Sequence, residues 1–455
     1  VLIRSISGLR GIVGVPQGLT AEVVSRYVIS FATYLHNKGT IALGYDGRFG
    51  GEIFYNIALN ALRTAGCNVL ALGIVPTPTV QMAAEHEDGV VGGIAITASH
   101  NPSEWNGMKF IAGTGMFLDA EENAALWRIL DNNEGQTLSV GEFGDVISGE
   151  AVIKKHIERV TQIPFIDLEK IKAKNFKVVL DAVNASGSYV HPELLGKLGV
   201  TQVVKLACDG SGVFPHKPEP VPSHLTRLAE AVVNEKADLG IAVDPDADRL
   251  VLIMENGEPF IEENTIVLSA EQVLKTAKQG QTVCVNLSTT RAIEDLAGKY
   301  GAQVIRTPVG EINVAKRMKE TDAIIGGEGS GGVILPWVHL GRDSLVGVAL
   351  ALGALAEFEG TISEKKKQLP QYDIRKSKID LRSQEQVVQI LKSLEMLFAE
   401  KAVKMNWDDG LRIDFERSWI HARSSNTEPI IRLIAEAPTA EEADELLQYA
   451  QTTMV

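Results

Sequence analysis

The sequence predicts an α/β protein of three repeated mixed-sheet α/β domains and a smaller C-terminal α+β domain, set around a central cleft. Three observations predict it. A strand–helix–glycine pattern occurs three times. Each occurrence leads to a further apolar strand ending in a polar loop. The pattern then stops near residue 368.

The first unit opens with Ile41-Ala-Leu-Gly44-Tyr-Asp46 and a helical stretch ending in Leu62-Arg-Thr-Ala-Gly66-Cys-Asn-Val69. The second runs from Val178-Val-Leu-Asp181 to Leu195-Gly-Lys-Leu-Gly199-Val-Thr-Gln-Val203, and the third from Thr282-Val-Cys-Val-Asn286 to Ala297-Gly-Lys-Tyr-Gly301-Ala-Gln-Val304. In each, a glycine placed to cap a helix C-terminus precedes a new β-rich segment, as in parallel α/β units. The further strands are Gly92–Ile96, Asp238–Val243 and Asp322–Gly326. Open α/β sheets hold ligands at the carboxyl ends of strands, so the three loops that follow are expected to meet in one cleft. Past residue 368 the charged run Glu364–Gln368 and Pro370 read as a boundary. Ser383-Gln-Glu-Gln386 then reads as a capping box, with apolar positions at 387, 390, 391, 394 and 398. Strand-like runs at 411–422 and 430–435 follow, and Thr439-Ala-Glu-Glu442 starts a last helix. The domains are expected at 1–150, 151–254, 255–368 and 369–455.

Composition narrows the class. At 455 residues the chain has room for about three domains, each with its own core. Cys67, Cys208 and Cys284 lack metal-ligand spacing and read as core residues of a reducing compartment. The start shows no apolar stretch of the secretory kind, and the longest apolar helical run, Gly347–Ala356, is too short for a bilayer. The expectation is a cytoplasmic protein. A net charge of −14 argues against nucleic acid as partner. An anionic substrate would need local cations, for which Arg10, Arg48, Lys109, Arg249 and Arg423 are candidates.

The loops carry the chemistry. Thr97-Ala-Ser99-His-Asn-Pro102 offers a hydroxyl nucleophile after an apolar strand, although Ser99 taken alone suits a turn cap. Asp244-Pro-Asp246-Ala-Asp248-Arg249 puts carboxylates at alternate positions, where their oxygens can converge on one hard cation. The alternatives are a solvated acidic turn, an EF-hand and an aspartyl phosphatase. The EF-hand fails because Arg249 stands where its sixth-position glycine belongs, although Glu255 falls at the twelfth. A phosphatase Asp-x-Asp is less apt, since a third aspartate and an arginine fit a cation cage better. A triad hydrolase lacks its Gly-x-Ser-x-Gly elbow. Together the two loops suggest metal-assisted phosphoryl transfer through a serine. Lys109 is a proton-transfer candidate whose pKa a nearby divalent cation and other basic groups are expected to lower, and His100 suits the same task. In Gly327–Gly332, Glu328 and Ser330 offer acceptors matched to sugar hydroxyls. In Arg423–Pro429 an arginine fork beside Ser425, Asn426 and Thr427 suits a phosphate. Phe214–Pro220 reads as a rigid connector.

With these four loops in this order, the chain resembles the α-D-phosphohexomutases, which include phosphoglucomutase, phosphomannomutase and phosphoglucosamine mutase. The resemblance runs from Ser7-Gly-Leu-Arg10-Gly to the last helix. It implies that Ser99 carries a transferable phosphoryl group and joins Asp244, Asp246 and Asp248 as ligands of Mg²⁺. It places Lys109, His100, Arg10 and Arg249 around the reacting phosphoryl group. Glu328 and Ser330 become sugar readers, and Arg423, Ser425, Asn426 and Thr427 cradle the other phosphate. It implies hexose phosphates as small-molecule partners, a hexose 1,6-bisphosphate as activator, no membrane partner, and a monomer or homodimer. A metal-dependent sugar-phosphate phosphatase and a non-catalytic sugar-phosphate sensor are the alternatives. Many bacterial members have histidine where this chain has Gly332 and glycine where it has Pro245. The first departure leaves the sugar open, and the second is expected only to stiffen the aspartate loop.

Overall fold

The computed structural model describes residues 2–381, 385–424 and 430–452. Its strands fall into four sheets. The first holds β1 (Leu2–Ser5), β2 (Gly8–Ile12), β3 (Thr40–Tyr45), β4 (Asn68–Ile74), β5 (Val90–Ile96), β6 (Trp105–Ala112) and β7 (Val146–Ser148), in the order β1-β2-β6-β5-β3-β4-β7. The second holds β8 (Lys177–Asp181), β9 (Gln202–Ala207), β10 (Leu239–Val243) and β11 (Leu250–Met254), ordered β11-β10-β8-β9. The third holds β12 (Thr282–Asn286), β13 (Gln303–Thr307), β14 (Ile325–Glu328) and β15 (Gly332–Ile334), ordered β15-β14-β12-β13.

The repeat predicted from sequence is visible in those orders. Each sheet contains a parallel trio, β5-β3-β4, β10-β8-β9 or β14-β12-β13. Each trio is flanked by one antiparallel strand that turns straight back from the motif loop: β6, β11 or β15. The motif loops therefore sit in hairpins rather than in strand-to-helix turns. The capping glycines behave as expected: Gly66, Gly199 and Gly301 have φ of 88°, 89° and 65°, the left-handed region that ends a helix without Cβ strain. One continuous core joins the second and third sheets through the helices Glu262–Leu274 and Ser344–Ala356, whose residues are all buried except Glu262. A separate core fills the first domain.

The fourth sheet holds β16 (Asp373–Asp380), β17 (Lys404–Asn406), β18 (Leu411–Asp414), β19 (Trp419–Ser424) and β20 (Ile430–Ala437) in the antiparallel order β16-β20-β19-β18-β17. The run 411–422 is thus two strands, closed by a turn in which Phe415 N–H donates to the Ser418 carbonyl at 2.8 Å. The helix Glu385–Phe398 buries Leu391, Leu394 and Phe398. Ser383, the expected cap, lies outside the described residues. Thr439 caps the last helix by accepting from Glu442 N–H at 3.2 Å. The charged run before Pro370, expected at a boundary, is helical. It forms the helix Ile362–Gln368, capped by Thr361, with buried Lys365 2.6 Å from Glu271. Among the described residues no helix is long and apolar enough to cross a membrane. Cys67 and Cys284 are buried, Cys208 is half-buried, and all are free thiols.

Candidate active site

Ser99 begins the turn from β5 into β6 and is 1% exposed. Its φ of 49° places a non-glycine residue in the left-handed region, which costs about 1–3 kcal/mol and persists only where the surroundings fix it. They do so through its backbone. Thr97 Oγ1 accepts from Ser99 N–H at 2.8 Å and donates to Asp46 Oδ2 at 2.6 Å. Arg48 donates to the Ser99 carbonyl at 2.6 Å while paired with Asp46 at 2.8 Å. Arg48 is therefore a buried brace for the serine loop. The Ser99 hydroxyl is left to donate to Asp244 Oδ2 at 3.0 Å, with His100 Nδ1 3.3 Å away.

Asp244, Asp246 and Asp248 occupy the turn between β10 and β11, all with no exposure, and one oxygen from each lies within 4.8 Å of the others. The turn is rigid. Ala247 has φ of 50°, its carbonyl accepts from Ser344 Oγ at 2.6 Å, and the Pro245 carbonyl accepts from Ser186 Oγ at 2.7 Å. Asp244 Oδ1 accepts from the backbone N–H of Asp248 and Arg249. Thr77 Oγ1 and Lys109 Nζ donate to Asp246 Oδ2 at 2.8 and 2.6 Å. Lys109 also reaches Asp248 Oδ2 at 3.0 Å. Asp246 Oδ1 and Asp248 Oδ1 remain buried without a hydrogen-bond donor among the described residues. Burial, then Asp248 and Asp246, push the Asp244 carboxyl well above the ordinary range. Buried oxygens of one sign, two of them without such a donor, beside a hydroxyl fit a hard divalent cation.

Lys109 and His100, which contact these buried groups, line a cleft of about 400 Å³ together with Arg10, Arg249, Glu328, Ser330 and Arg423. Arg10 donates to Asn101 Oδ1 at 2.9 Å, and Arg249 Nε lies 3.7 Å from Asp248. The field of Arg249, then burial and Arg10, hold His100 well below the usual imidazole range, so it is neutral. Lys109 goes the other way. Burial favours its neutral form, but Asp246 and Asp248 outweigh this and raise its pKa. The lowering expected beside a bound divalent cation is a separate case, since carboxylates are its direct partners here. Glu328 accepts from Asn286 at 2.7 Å and from Gly310 N–H at 3.1 Å. Burial would raise it, yet Arg342 and Asn286 bring it below the ordinary value.

The candidates His100, Lys109, Arg10, Arg249, Glu328, Ser330 and Arg423 thus line one space, and Ser99 and the aspartates lie buried behind His100 and Lys109. Ser425, Asn426 and Thr427 lie outside the described residues. Sequence reading missed Arg342, Glu311, Lys376 and Arg432, all in the cleft wall. The stretch Phe214–Pro220 is more than a connector, since Glu219 lines the cleft and His216 pairs with Asp181 at 3.0 Å.

Comparison with known proteins identifies the family. The domain families described as Phosphoglucomutase/phosphomannomutase match in order: alpha/beta/alpha domain I over residues 3–137, domain II over 154–257, domain III over 262–372, and the C-terminal domain over 380–450. A phosphoglucomutase/phosphomannomutase of Thermococcus kodakarensis is 35% identical, with 97% of this chain and 96% of the relative covered. A probable phosphoglucosamine mutase of Methanopyrus kandleri is 32% identical, over 97% of this chain and 95% of the relative. The crystal structure of a Phosphoglucomutase/phosphomannomutase family protein from Burkholderia thailandensis superposes with a TM-score of 0.85 at 25% identity, over 98% of this chain and 96% of that one. The chain belongs to the phosphoglucomutase/phosphomannomutase family, and is an enzyme of the mutase class.

Proposed function

We propose that this enzyme interconverts hexose 1-phosphate and hexose 6-phosphate through a phosphorylated Ser99 and a bound hexose 1,6-bisphosphate. The observation that carries the reading is the direct hydrogen bond from Ser99 Oγ to Asp244, inside a buried aspartate cluster with two oxygens that lack a hydrogen-bond donor among the described residues.

Asp244, Asp246, Asp248 and an oxygen on Ser99 are the proposed holders of Mg²⁺, which when bound neutralises charge developing on the phosphoryl oxygens. The chain's own groups do the rest. Phosphorylated Ser99 gives its phosphoryl group to the free hydroxyl of a hexose monophosphate: the phosphorus–Oγ bond breaks and a phosphorus–sugar oxygen bond forms. The hydroxyl proton passes to His100, neutral and 3.3 Å from Ser99 Oγ, while Lys109, kept as an ammonium by Asp246 and Asp248, is the proton donor for the return step. Arg10 and Arg249 meet the phosphoryl oxygens. The bisphosphate then turns over, and the phosphate now nearest Ser99 returns to it. Glu328 and Ser330 read sugar hydroxyls. Arg423, with Ser425, Asn426 and Thr427, holds the non-reacting phosphate, and Lys376 and Arg432 add charge to that wall.

A coupled assay across glucose, mannose and glucosamine 1-phosphates, primed with 1,6-bisphosphate, tests the reading and identifies the sugar. Hexose 6-phosphate should appear with little inorganic phosphate. Stoichiometric phosphate without isomerised sugar would instead mean a phosphatase, and binding without turnover a sensor.

A further inference from the structure

One guanidinium ties three segments of the cleft together. Arg342, beyond β15, donates from Nη2 to Asp248 Oδ2 and from Nη1 to Glu328 Oε2, both at 2.6 Å. Its Nε lies 3.0 Å from Glu311 Oε2. Asp248 belongs to the aspartate loop, Glu328 ends β14, and Glu311 begins the helix Glu311–Thr321. All four residues are at most 9% exposed. A planar fork can hold carboxylates in fixed relative positions, which a lysine point charge cannot. Because Arg342 and Lys109 both bond Asp248 Oδ2, Oδ1 is the oxygen left for a cation.

The arginine also has a seat. A Cβ on Gly332 would fall 2.2 Å from Arg342 Cδ and 2.9 Å from its Cγ, so the aliphatic chain lies directly against the glycine. Gly332 in turn pairs with Glu328 across the β14–β15 hairpin. Glycine and arginine form one packed unit that fixes where the fork lies.

We propose that Arg342, seated on Gly332, is a positioning residue that couples cation binding at the aspartates to sugar-phosphate binding at Glu328 and Ser330. What the two sites hold rests on the functional reading above. A sugar hydroxyl that draws on Glu328 competes for the fork, and the fork's bond to Asp248 responds. By linkage, a bound cation must alter sugar-phosphate affinity by the same factor.

The test is Mn²⁺ binding to the full chain, followed by electron paramagnetic resonance without sugar and with saturating glucose 6-phosphate or glucosamine 6-phosphate. In the native enzyme one of these sugars should change Mn²⁺ affinity by about tenfold. Arg342→Lys should weaken Mn²⁺ binding alone by about tenfold, as loss of a ligand's support does. It should also remove the sugar effect, while Asp246→Asn lowers Mn²⁺ affinity whether or not sugar is present. Gly332→Ala, which displaces the arginine chain, should remove the sugar effect too, and it decides the matter if Arg342→Lys melts unfolded. A sugar effect that survives in the deciding variant, or is absent from the native enzyme, overturns the coupling alone. No Mn²⁺ binding by the native chain, or binding indifferent to Asp246→Asn, overturns the functional reading beneath it.

Discussion

The two walls of the cleft are built differently. On the side of the first two sheets the proposed nucleophile, the aspartates and the lysine are locked: Ser99 and the aspartates are at most 1% exposed, and Lys109 is 2% exposed between two carboxylates. On the side of the fourth sheet the cations are less buried. Lys376 is 48% exposed in its side chain and sits 3.2 and 3.5 Å from Glu262 and Glu263. Among the described residues Arg423 Nε lies 3.7 Å from Asp409 Oδ2, and Arg432, its register partner on β20, is exposed. Phosphoryl transfer demands fixed geometry, because there is little covalent chemistry for the protein to do beyond positioning and charge. Phosphate capture tolerates movement and gains from it if the domain closes over its ligand.

The sharpest way to break this contrast is at the locked wall. Ser99→Ala should lower turnover by at least about a thousandfold, or about 4 kcal/mol of barrier, while leaving hexose phosphate binding in place. Peptide mass spectrometry should find phosphate on Ser99 in a fraction of the native protein and none there in the variant. Full activity in the alanine variant would mean that the serine loop is only a turn.

Metal removal comes next. EDTA should abolish activity and Mg²⁺ restore it, and Asp246→Asn should weaken cation binding by about ten- to a hundredfold without lowering the melting temperature much. Crowded buried carboxylates repel one another, so removing one charge relieves the substrate-free protein even as it weakens the cation site. Activity indifferent to chelation would return the cluster to an acidic turn.

At the less buried wall the expected effect is smaller and of another kind. Arg423→Ala should raise KM by about ten- to a hundredfold, the scale of lost charge-assisted hydrogen bonds, and also slow turnover because closure loses its anchor. Small-angle scattering should show compaction on adding bisphosphate, reduced in the variant. The fourth domain is held to the third by Glu436 accepting from Arg291 N–H at 2.8 Å and by a Ser288–His421 hydrogen bond at 2.9 Å. Closure about residues 369–372 has to work against such bonds. Normal KM and kcat in Arg423→Ala would remove this loop from the site.

The locked wall was also the legible one. A serine before Asn-Pro and three aspartates at alternate positions are local patterns, and the capping glycines repeat at matching places in each unit. Arg342 and Glu311 are isolated in sequence, and their roles exist only because packing brings together segments 94 residues apart, as in the Arg342–Asp248 bond. The β18–β19 turn, Phe415-Glu-Arg-Ser418, escaped notice because it contains neither glycine nor proline. The helix Ile362–Gln368 was missed for a different reason. Its Thr361–Glu364 capping box was present in the sequence, but the lysine run was given more weight.

The smallest effect probes the seam between the two walls. Glu263 faces Lys376 across that seam and accepts from Thr290 N–H at 3.1 Å. Burial pushes its carboxyl from 4.5 up to about 8; Lys376 opposes this, while Glu262 and Glu436 add to it. The folded state therefore keeps a proton that the unfolded state releases near pH 4.5. Its contribution to stability is fully present below that pH and is lost progressively as pH rises toward about 8. Glu263→Gln keeps an acceptor for Thr290 and cannot ionise. Between about pH 5 and about pH 8 its melting temperature by calorimetry should fall less steeply than that of the native enzyme. Parallel slopes would show that Glu263 is ionised when folded, and that Lys376 binds this seam more tightly than its exposure suggests.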